Sequence, residues 1–408
     1  MKWFFIFHFI SRLSAITIIL YTYIVMFMYE EIEWYNANFF NDKTVRFRIK
    51  DIFSDNWEEF LKQNPDLEIR PVVHKEVKKI ISCKTSELGY SMYECPHCGE
   101  VKFTYHTCKS RFCASCSNKY VRKRTESILQ KCYNCKHRHI VFTISDSLWI
   151  YFRKDRKLIN LLFEAVSKTI PSWFKEKYKS EKFTPGIIEV LHTYGRDLKW
   201  NTHIHTIVTE GAMGNNTVFR KFDFISYDAL RKRFQKILLD LMEEKIGKNN
   251  FRHIKNKIYK KSDKGFYVYA EKKNNQSTQK MIEYAVRYTG KPCMAESRIL
   301  DYDGEYVTFW YQRHEDNKVI KEKVHVFEFI KRLIIHIPNE NFKTVRYYGI
   351  YAKKHKFHDK MIMLIKSTIH EVRNKLITWR IMILKDYDVD PLECPKCGTL
   401  MKWQHRIC

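Results

Sequence analysis

The sequence predicts an α+β fold on a largely antiparallel sheet, and three observations support this class. Apolar runs of strand length are interspersed with amphipathic runs of helix length, without an internal repeat. Short polar turns such as GRDLKWN (195–201) and Asp303-Gly304 separate neighbouring strands, which is typical of hairpins. Hydrophobic residues make up 45% of the 408 residues, so the chain can bury real cores and a disordered protein is excluded.

The elements follow from periodicity. In DIFSDNWEEFLKQ the residues Phe53, Trp57 and Phe60 recur at helical spacing, and Pro65 interrupts the helical stretch over 51–82. Further helices are predicted near 159–178, over 227–246, over 276–289 and in VFEFIKRLIIHI. Strands are predicted in RHIVFTI (138–144), over 186–194 and 203–210, in GFYVYAE (265–271), in a hairpin over 298–313 and in TVRYYGIYA.

The chain is strongly basic, with Lys+Arg 73 against Asp+Glu 46 and a net charge of +27. The first 45 residues carry a net charge of −1, so a surplus of +28 lies downstream of them. Such a surplus predicts a polyanionic partner, most simply nucleic acid. The alternative is a proteome that is basic throughout.

The N-terminus contains an uncharged run over 13–28 (LSAITIILYTYIVMFM), slightly shorter than the ~18–20 residues of a membrane-spanning helix. The positive-inside rule, applied to Lys2 and Arg12 before the run, would export the rest of the chain away from DNA. We therefore expect an upstream in-frame extension on a cytoplasmic, nucleoid-associated protein. A membrane tether at 13–28 is the alternative.

Twelve cysteines, largely in C-x-x-C pairs, predict metal sites in a reducing compartment. The pairs Cys95/Cys98 and Cys113/Cys116 can close one tetrahedral Zn²⁺ site, with free structural thiols as the alternative. A possible second zinc site comprises Cys83, Cys108, Cys132 and Cys135, with His97 and His106 as competing ligands. Near the end, Cys394-Pro-Lys-Cys397 is half of a further ribbon, which His405 and Cys408 are the candidates to complete.

Two pairs of residues suggest chemistry. His203 and His205 alternate on a predicted strand, so both imidazoles point to one face and can hold a divalent ion. Tyr284 and Tyr288 are four residues apart on a predicted helix and share a face. Surface histidines and an aromatic core stripe are the plain structural alternatives. The tyrosine region is also cationic, through Arg287, Lys291 and Arg298.

Together the pairs describe attack on a phosphodiester. A phenol is a poor nucleophile at neutral pH because its pKa is about 10. A metal held by the histidines would polarise the phosphate, and a tyrosine could then form a covalent phosphotyrosine. A second tyrosine one turn away permits a second transfer without release.

The chain resembles the two-tyrosine HUH rolling-circle transposases of the insertion-sequence-ninety-one type over about residues 51–400. The resemblance rests on the order and spacing of CPHCGEVKFTYHTCKSRFCASC, RHIVFTI, LHTYGRDLKWNTHIHTIVTEGA, YAVRYTGKPCMAESRI, FIKRLIIHIP, FKTVRYYGIYA and CPKCGTLM. Phe112 stands where the family usually has histidine, which favours an all-cysteine zinc site. Residues 1–45 match nothing in the family.

The resemblance implies an HUH endonuclease-like antiparallel sheet with packed helices, preceded by a small zinc-binding domain. It implies that His203 and His205 bind Mg²⁺ or Mn²⁺ and that Tyr284 and Tyr288 are nucleophiles. Such enzymes nick one strand, keep the 5′ end as a phosphotyrosine and free a 3′-OH. The implied partners are single-stranded DNA of the element ends and target DNA, with self-association and host replication proteins as further candidates and no membrane.

The third metal ligand is open. If the hairpin turn is centred between Leu198 and Lys199, His192 lies opposite His205 on the same face, and a one-residue shift would reverse that. Glu210 and Glu283 are the alternatives. Imidazole ligands favour Mn²⁺ over Mg²⁺.

The predicted organisation has four parts: an apolar extension over 1–45, a zinc-binding DNA-recognition domain over 46–137, the catalytic domain over 138–352 and a basic tail with a CxxC knuckle over 353–408. A replication initiator or relaxase with the same chemistry is the nearest alternative function. A non-catalytic zinc-ribbon DNA-binding protein is the other, and it predicts that Tyr284 and Tyr288 are buried and dispensable.

Overall fold

The computed structural model describes residues 46–133, 135–179, 181–215, 218–222, 226–269, 278–287, 293–313, 316–354, 380 and 390–407. These ranges hold nine α-helices and twelve β-strands, and every strand pairing in them is antiparallel. The predicted α+β class is therefore confirmed. The apolar run over 13–28 lies outside the described residues, and no helix within them is long and apolar enough to cross a membrane.

The helical stretch predicted over 51–82 forms two helices, α1 (Ile49–Gln63) and α2 (Pro71–Ile81). Pro65 lies between them, and Pro71 begins α2, where its missing N–H has no helical partner to lose. The remaining helices are α3 (Ala114–Leu129), α4 (Trp149–Lys154), α5 (Ile159–Lys177), α6 (Tyr227–Ile246), α7 (Lys248–Lys261), α8 (Thr278–Arg287) and α9 (Val326–Ile334). The sequence did not predict α3, α4 and α7. Helices α3 and α7 bury few apolar side chains, and α4 is only 6 residues long.

The main sheet carries its strands in the order β11–β4–β5–β3–β7, with β6 paired to β5. The strands are β3 (His137–Thr143), β4 (Thr184–Tyr194), β5 (Trp200–Met213), β6 (Phe219–Lys221), β7 (Val268–Tyr269) and β11 (Val345–Gly349). Helices α4 to α7 pack on one face around Phe142, Phe163 and Phe234. Helices α3 and α8 cover the other face, which also carries the candidate site.

The β4–β5 hairpin differs in register from the prediction. Its turn is centred on Asp197, because Gly195 N–H donates to the Lys199 carbonyl at 2.9 Å and Tyr194 pairs with Trp200. A bulge between His192 and Tyr194 then places His192 opposite His203 rather than opposite His205. The difference is two residues, an even number, so His192 stays on the predicted face.

A second sheet has the order β10–β9–β8, with β8 (Ile299–Tyr302), β9 (Tyr306–Gln312) and β10 (Val319–His325). The predicted hairpin over 298–313 is thus extended by a third strand. This sheet and α9 share one core with α1 and α2, through Phe53, Phe60, Phe309 and Phe329. Residues on either side of the predicted boundary at 137 are therefore packed together.

A third sheet joins the two ends of the described chain. It has the order β12–β1–β2, with β1 (Tyr90–Glu94), β2 (Val101–Tyr105) and β12 (Lys402–Ile407). The last strand of the predicted tail therefore lies within the zinc-binding region. No local pattern in the sequence predicts this pairing, which spans about three hundred residues.

Candidate metal and tyrosine site

Three histidines converge on the face of the main sheet that α3 and α8 cover. His203 and His205 are alternate residues of β5, and His192 lies beside them on β4. One ring nitrogen from each lies within 4.8 Å of those of the other two. The HxH pair and the proposed third imidazole are thus brought together, in a geometry that can surround a single ion.

The backbone orients two of these rings. His203 Nδ1 lies 2.8 Å from the Asn201 carbonyl, and His192 Nε2 lies 3.0 Å from the Ala285 carbonyl. Because a carbonyl only accepts, each of these nitrogens carries the proton and donates. The other nitrogen of each ring, Nε2 of His203 and Nδ1 of His192, therefore keeps its lone pair.

Burial keeps two of the three imidazoles uncharged. Desolvation holds the pKa of His192 and of His205 well below the usual histidine range, and the neighbouring imidazoles lower it further. Neutral imidazoles are the form that binds metal, so His192 and His205 are ready to bind a divalent ion at neutral pH. The residues present therefore fit the implied catalytic metal.

Tyr284 projects from α8 beside these histidines. Its ring centroid lies 5.8 Å from that of His205, and the side chain is 41% exposed. The neighbouring residue in α8, Ala285, accepts the hydrogen bond from His192, so the tyrosine helix is tied directly to the histidine cluster. An exposed Tyr284 contradicts the buried tyrosine that a non-catalytic zinc-ribbon protein predicts. Tyr288 lies outside the described residues.

His139 on β3 belongs to the same cluster, although the sequence did not single it out. Its Nε2 lies 2.7 Å from His205 Nδ1, and the two rings stack with centroids 4.9 Å apart. It also meets Tyr284 edge-on at 5.6 Å. In the tautomer that leaves His205 Nε2 open to a metal, Nδ1–H donates to His139. In the strand RHIVFTI, His139 precedes the buried Ile140, and neighbouring strand residues point to opposite faces. This alternation could have indicated that His139 lies on the face away from the apolar core.

The other candidates near this site have different surroundings. Glu210 forms an ion pair with Arg138, with 2.8 Å between Nη2 and Oε1, and neither Glu210 nor Glu283 joins the histidine cluster. Arg298 Nε donates to the Trp310 carbonyl at 2.7 Å. Arg287 ends α8, and Lys291 lies outside the described residues.

The cysteines group differently from the prediction. Cys83 and Cys108 join Cys113 and Cys116, with all four sulfur atoms within 4.8 Å of one another. The predicted pairing of Cys95/Cys98 with Cys113/Cys116 is therefore wrong. The two pairs are separated because Cys95 and Cys98 lie at the tip of the β1–β2 hairpin, whereas Cys113 and Cys116 begin α3.

The second predicted group is also wrong. Cys132 and Cys135 follow the far end of α3, whose 16 residues span ~24 Å, so they lie far from Cys83 and Cys108. Burial raises the pKa of each of these two thiols to about 12. His106 is occupied as well, with Nδ1 at 2.9 Å from the Leu88 carbonyl and Nε2 at 3.1 Å from Ser91 Oγ.

Cys95 and Cys98 meet the C-terminal knuckle instead. Their sulfur atoms lie with those of Cys394 and Cys397 inside a second cluster of the same size. His405, which the sequence offered as a completing ligand, lies in β12 opposite Met92. Cys408 lies outside the described residues.

The chain is similar to two transposase family models and to known transposases. Residues 52–144 match the family model described as a transposase zinc-binding domain, and residues 186–358 match the model described as a putative transposase. A transposase for insertion sequence element IS801 from Pseudomonas savastanoi pv. phaseolicola is 28% identical over 377 residues, covering 88% of this chain and 90% of the relative. A putative transposase from Sinorhizobium fredii is 24% identical, covering 76% and 81%.

No solved structure matches the chain. The two domain models match in tandem, the zinc-binding domain before the transposase domain, and the IS801 relative extends over most of the same length. These matches agree with the motifs that carried the resemblance in the sequence. The chain therefore joins a transposase zinc-binding domain to a transposase domain, and over most of its length it is similar to a transposase of an insertion sequence element.

Proposed function

We propose that the protein is an HUH single-strand DNA endonuclease and strand transferase that moves an element by a rolling-circle-type route. The observation that carries the proposal is the placement of Tyr284 beside three imidazoles on one sheet face, of which burial keeps His192 and His205 neutral. A nucleophile and a metal-binding donor set are thus held together by two elements, α8 and the β4–β5 hairpin.

His192, His203 and His205 are the residues that would hold the catalytic ion. A divalent ion bound there would polarise the scissile phosphate and stabilise the charge that develops on it. Three imidazole donors favour Mn²⁺ over Mg²⁺. The His192–Ala285 hydrogen bond keeps α8, and with it Tyr284, in a constant position relative to the donor set.

The reaction of Tyr284 is a phosphoryl transfer. Its phenolic oxygen loses a proton and attacks the phosphorus, and the new O–P bond replaces the bond between phosphorus and the 3′ oxygen. The departing 3′ oxygen takes up a proton and becomes a free 3′-OH. The 5′ end stays on the tyrosine, and attack by another 3′-OH reverses the step. Tyr288 is the proposed second nucleophile.

The sheet also offers a path for single-stranded DNA. Tyr269 of β7 pairs with Val141 of β3, which pairs with His205, so the three residues form one row across the sheet. Tyr267 and Tyr269 stack on each other and are 55% and 48% exposed. Exposed aromatic rings beside a basic surface bind unpaired bases by stacking. Arg287, Lys291 and Arg298 are the proposed phosphate contacts.

Structural Zn²⁺ is proposed at Cys83, Cys108, Cys113 and Cys116, in the domain that would recognise element ends. A replication initiator or relaxase would share the nicking chemistry. The match to a transposase zinc-binding domain favours transposition over these alternatives.

The test is a cleavage assay on single-stranded oligonucleotides from both element ends with Mn²⁺ or Mg²⁺. We expect a covalent protein–DNA adduct that denaturing electrophoresis resolves and that disappears in the Tyr284→Phe/Tyr288→Phe variant. Tyr259→Phe, in α7 on the opposite side of the sheet, is the matched control and should retain the adduct. An adduct of undiminished yield in the double variant would refute the assignment of the nucleophiles.

His203→Ala separates catalysis from recognition. It should abolish cleavage, because a metal ligand is lost, while binding of end DNA measured by gel shift persists. Cleavage that survives this substitution at normal rate would exclude the histidine cluster as the catalytic metal site.

A further inference from the structure

The two ends of the described chain meet at four cysteines. Cys95 Sγ lies 3.5 Å from Cys397 Sγ, and Cys98 Sγ lies 3.6 Å from Cys394 Sγ. All four sulfur atoms lie within 4.8 Å of one another, although about three hundred residues separate the two pairs. Both family models leave the second pair out, because they end at residues 144 and 358.

The spacing of the sulfur atoms matches zinc coordination. At a Zn–S distance of about 2.3 Å, a tetrahedron separates its sulfur atoms by about 3.8 Å. The Cys83 cluster has the same spacing, with 3.7 Å from Cys83 to Cys116 and 3.6 Å from Cys108 to Cys116. A disulfide would require about 2.05 Å, so the four sulfur atoms are not paired covalently.

The two knuckles have the same backbone structure. In the first, Gly99 N–H donates to the Cys95 carbonyl at 3.0 Å, and Cys95 N–H donates to the Glu100 carbonyl at 2.8 Å. In the second, Gly398 N–H donates to the Cys394 carbonyl at 3.0 Å, and Cys394 N–H donates to the Thr399 carbonyl at 2.9 Å.

The glycines that follow the two knuckles also have the same backbone conformation. Gly99 and Gly398 have φ of 71° and 73°, a left-handed conformation that glycine adopts without strain. Each knuckle therefore turns its two sulfur atoms toward the same point. Two such knuckles facing each other form the ligand arrangement of a zinc ribbon.

The contact between the chain ends has little else to stabilise it. The buried core beneath the third sheet comprises Cys95, Cys394 and Met401. Strand β12 pairs with β1, and Lys102 Nζ donates to the Pro391 carbonyl at 2.9 Å. A core this small does not offset the entropy of ordering a distant segment, so small modules of this kind depend on a metal.

We propose that Cys95, Cys98, Cys394 and Cys397 bind one structural Zn²⁺ that joins the C-terminal strand to the N-terminal zinc-binding domain. This ion is separate from the one proposed at the Cys83 cluster, and it goes beyond the proposed nicking reaction, since no catalytic residue takes part. It makes β12 an integral strand of the module that is proposed to bind element ends. The ribbon is formed by two distant segments of the chain, each of which supplies two of the four ligands.

The test is zinc content per chain, measured by mass spectrometry on the full-length protein. The Cys394→Ser/Cys397→Ser variant should contain one zinc ion fewer than the wild type, and so should Cys95→Ser/Cys98→Ser. The variant with all four substitutions should lose no further ion, because both pairs serve one site. Cys132→Ser/Cys135→Ser is the matched control and should keep the wild-type content.

Two results would overturn the proposal. One is an unchanged zinc content in either double variant, and the other is a loss of two ions in the fourfold variant, which would assign the pairs to separate sites. Circular dichroism of each variant checks that the remainder of the chain is folded.

Alkylation of the wild type provides a second measurement that needs no variant. Cys397 is exposed, so a free thiol there would react quickly with N-ethylmaleimide. We expect all four cysteines to be protected together and to become reactive together when a chelator is added. Rapid reaction of Cys394 and Cys397 while Cys95 and Cys98 stay protected, or an intrachain disulfide in the intact mass, would contradict the shared site.

Discussion

The imidazole of His336 should make the hairpin that carries the candidate site sensitive to acid. His336 Nε2–H donates to the Leu198 carbonyl at 2.9 Å, and Nδ1 lies 3.1 Å from Thr193 Oγ1. Its ring also stacks on Trp200, with centroids 5.8 Å apart. All three partners belong to the β4–β5 hairpin or its turn, so His336 holds this hairpin from the opposite side of the sheet to His192.

Burial, together with the nearby guanidinium groups of Arg156 and Arg153, lowers the pKa of His336 to about 3, even though the hydrogen bond to the Leu198 carbonyl raises it. In the unfolded chain the pKa is about 6.5. Above pH 6.5 the imidazole is neutral in both the folded and the unfolded chain, so His336 adds no pH dependence to the stability there. Below it the unfolded state binds a proton that the folded state refuses, so stability falls. The loss is about 2 kcal/mol between pH 7.5 and pH 5, with a slope of about 1.4 kcal/mol per pH unit.

The assay is urea unfolding of the wild type and His336→Gln at pH 7.5, 6 and 5. Glutamine keeps a donor and an acceptor but does not titrate. The variant should be less stable at pH 7.5, by about 1–2 kcal/mol for the altered packing and hydrogen bonds. On acidification only the wild type loses the stability that the neutral His336 contributes. The difference between the two proteins in free energy of unfolding should therefore become about 2 kcal/mol smaller at pH 5 than at pH 7.5. The reasoning would be refuted if the wild type and His336→Gln lost the same free energy of unfolding at every pH.

Three further predictions follow from the same structure. His139→Gln should slow adduct formation by about 10–100-fold with zinc content unchanged, because His139 orients His205, a proposed metal ligand; an unchanged rate would exclude a positioning role for His139. Tyr269→Ala should weaken single-strand binding, measured by fluorescence anisotropy, by about 1–3 kcal/mol and leave duplex binding nearly constant, whereas equal losses on both would exclude stacking. Gly349→Ala should lower the thermal midpoint sharply, since Gly349 has φ of 60° and an added Cβ would lie 1.8 Å from the Pro185 carbonyl oxygen; an unchanged midpoint would contradict this close packing.

Much of the secondary structure could be predicted because its signals are local. The stripe of apolar residues in INLLFEAVSKTIPSWFKEK predicts α5, and the alternation in RHIVFTI predicts β3. Helix α3 was missed because it buries small polar residues such as Ser117 and Thr125 and has no apolar stripe. Periodicity detects hydrophobic faces, and α3 presents a weak one.

The candidate site was also predicted only in part from the sequence. The placement of His203 and His205 on one face follows from the two-residue period of a strand, which needs no knowledge of the fold. The position of His192 depended on the hairpin turn, and the predicted register differed by two residues while the face stayed the same. The contribution of His139 comes from the pairing of β3 beside β5, which sequence reasoning did not resolve.

The sequence by itself determined the chemical groups available to this protein: cysteine knuckles able to bind zinc, an HxH pair able to bind a divalent ion, two tyrosines on a predicted helix and a basic surplus suited to DNA. These properties are set by residue type and by spacings of two to four positions. Only the tertiary structure decided which groups act together. Cys95 and Cys98 face Cys394 and Cys397 because β12 pairs with β1, and Cys83 and Cys108 complete the other cluster. Contacts between distant segments depend on how sheets and helices pack, and spacing along the chain carries no record of that packing.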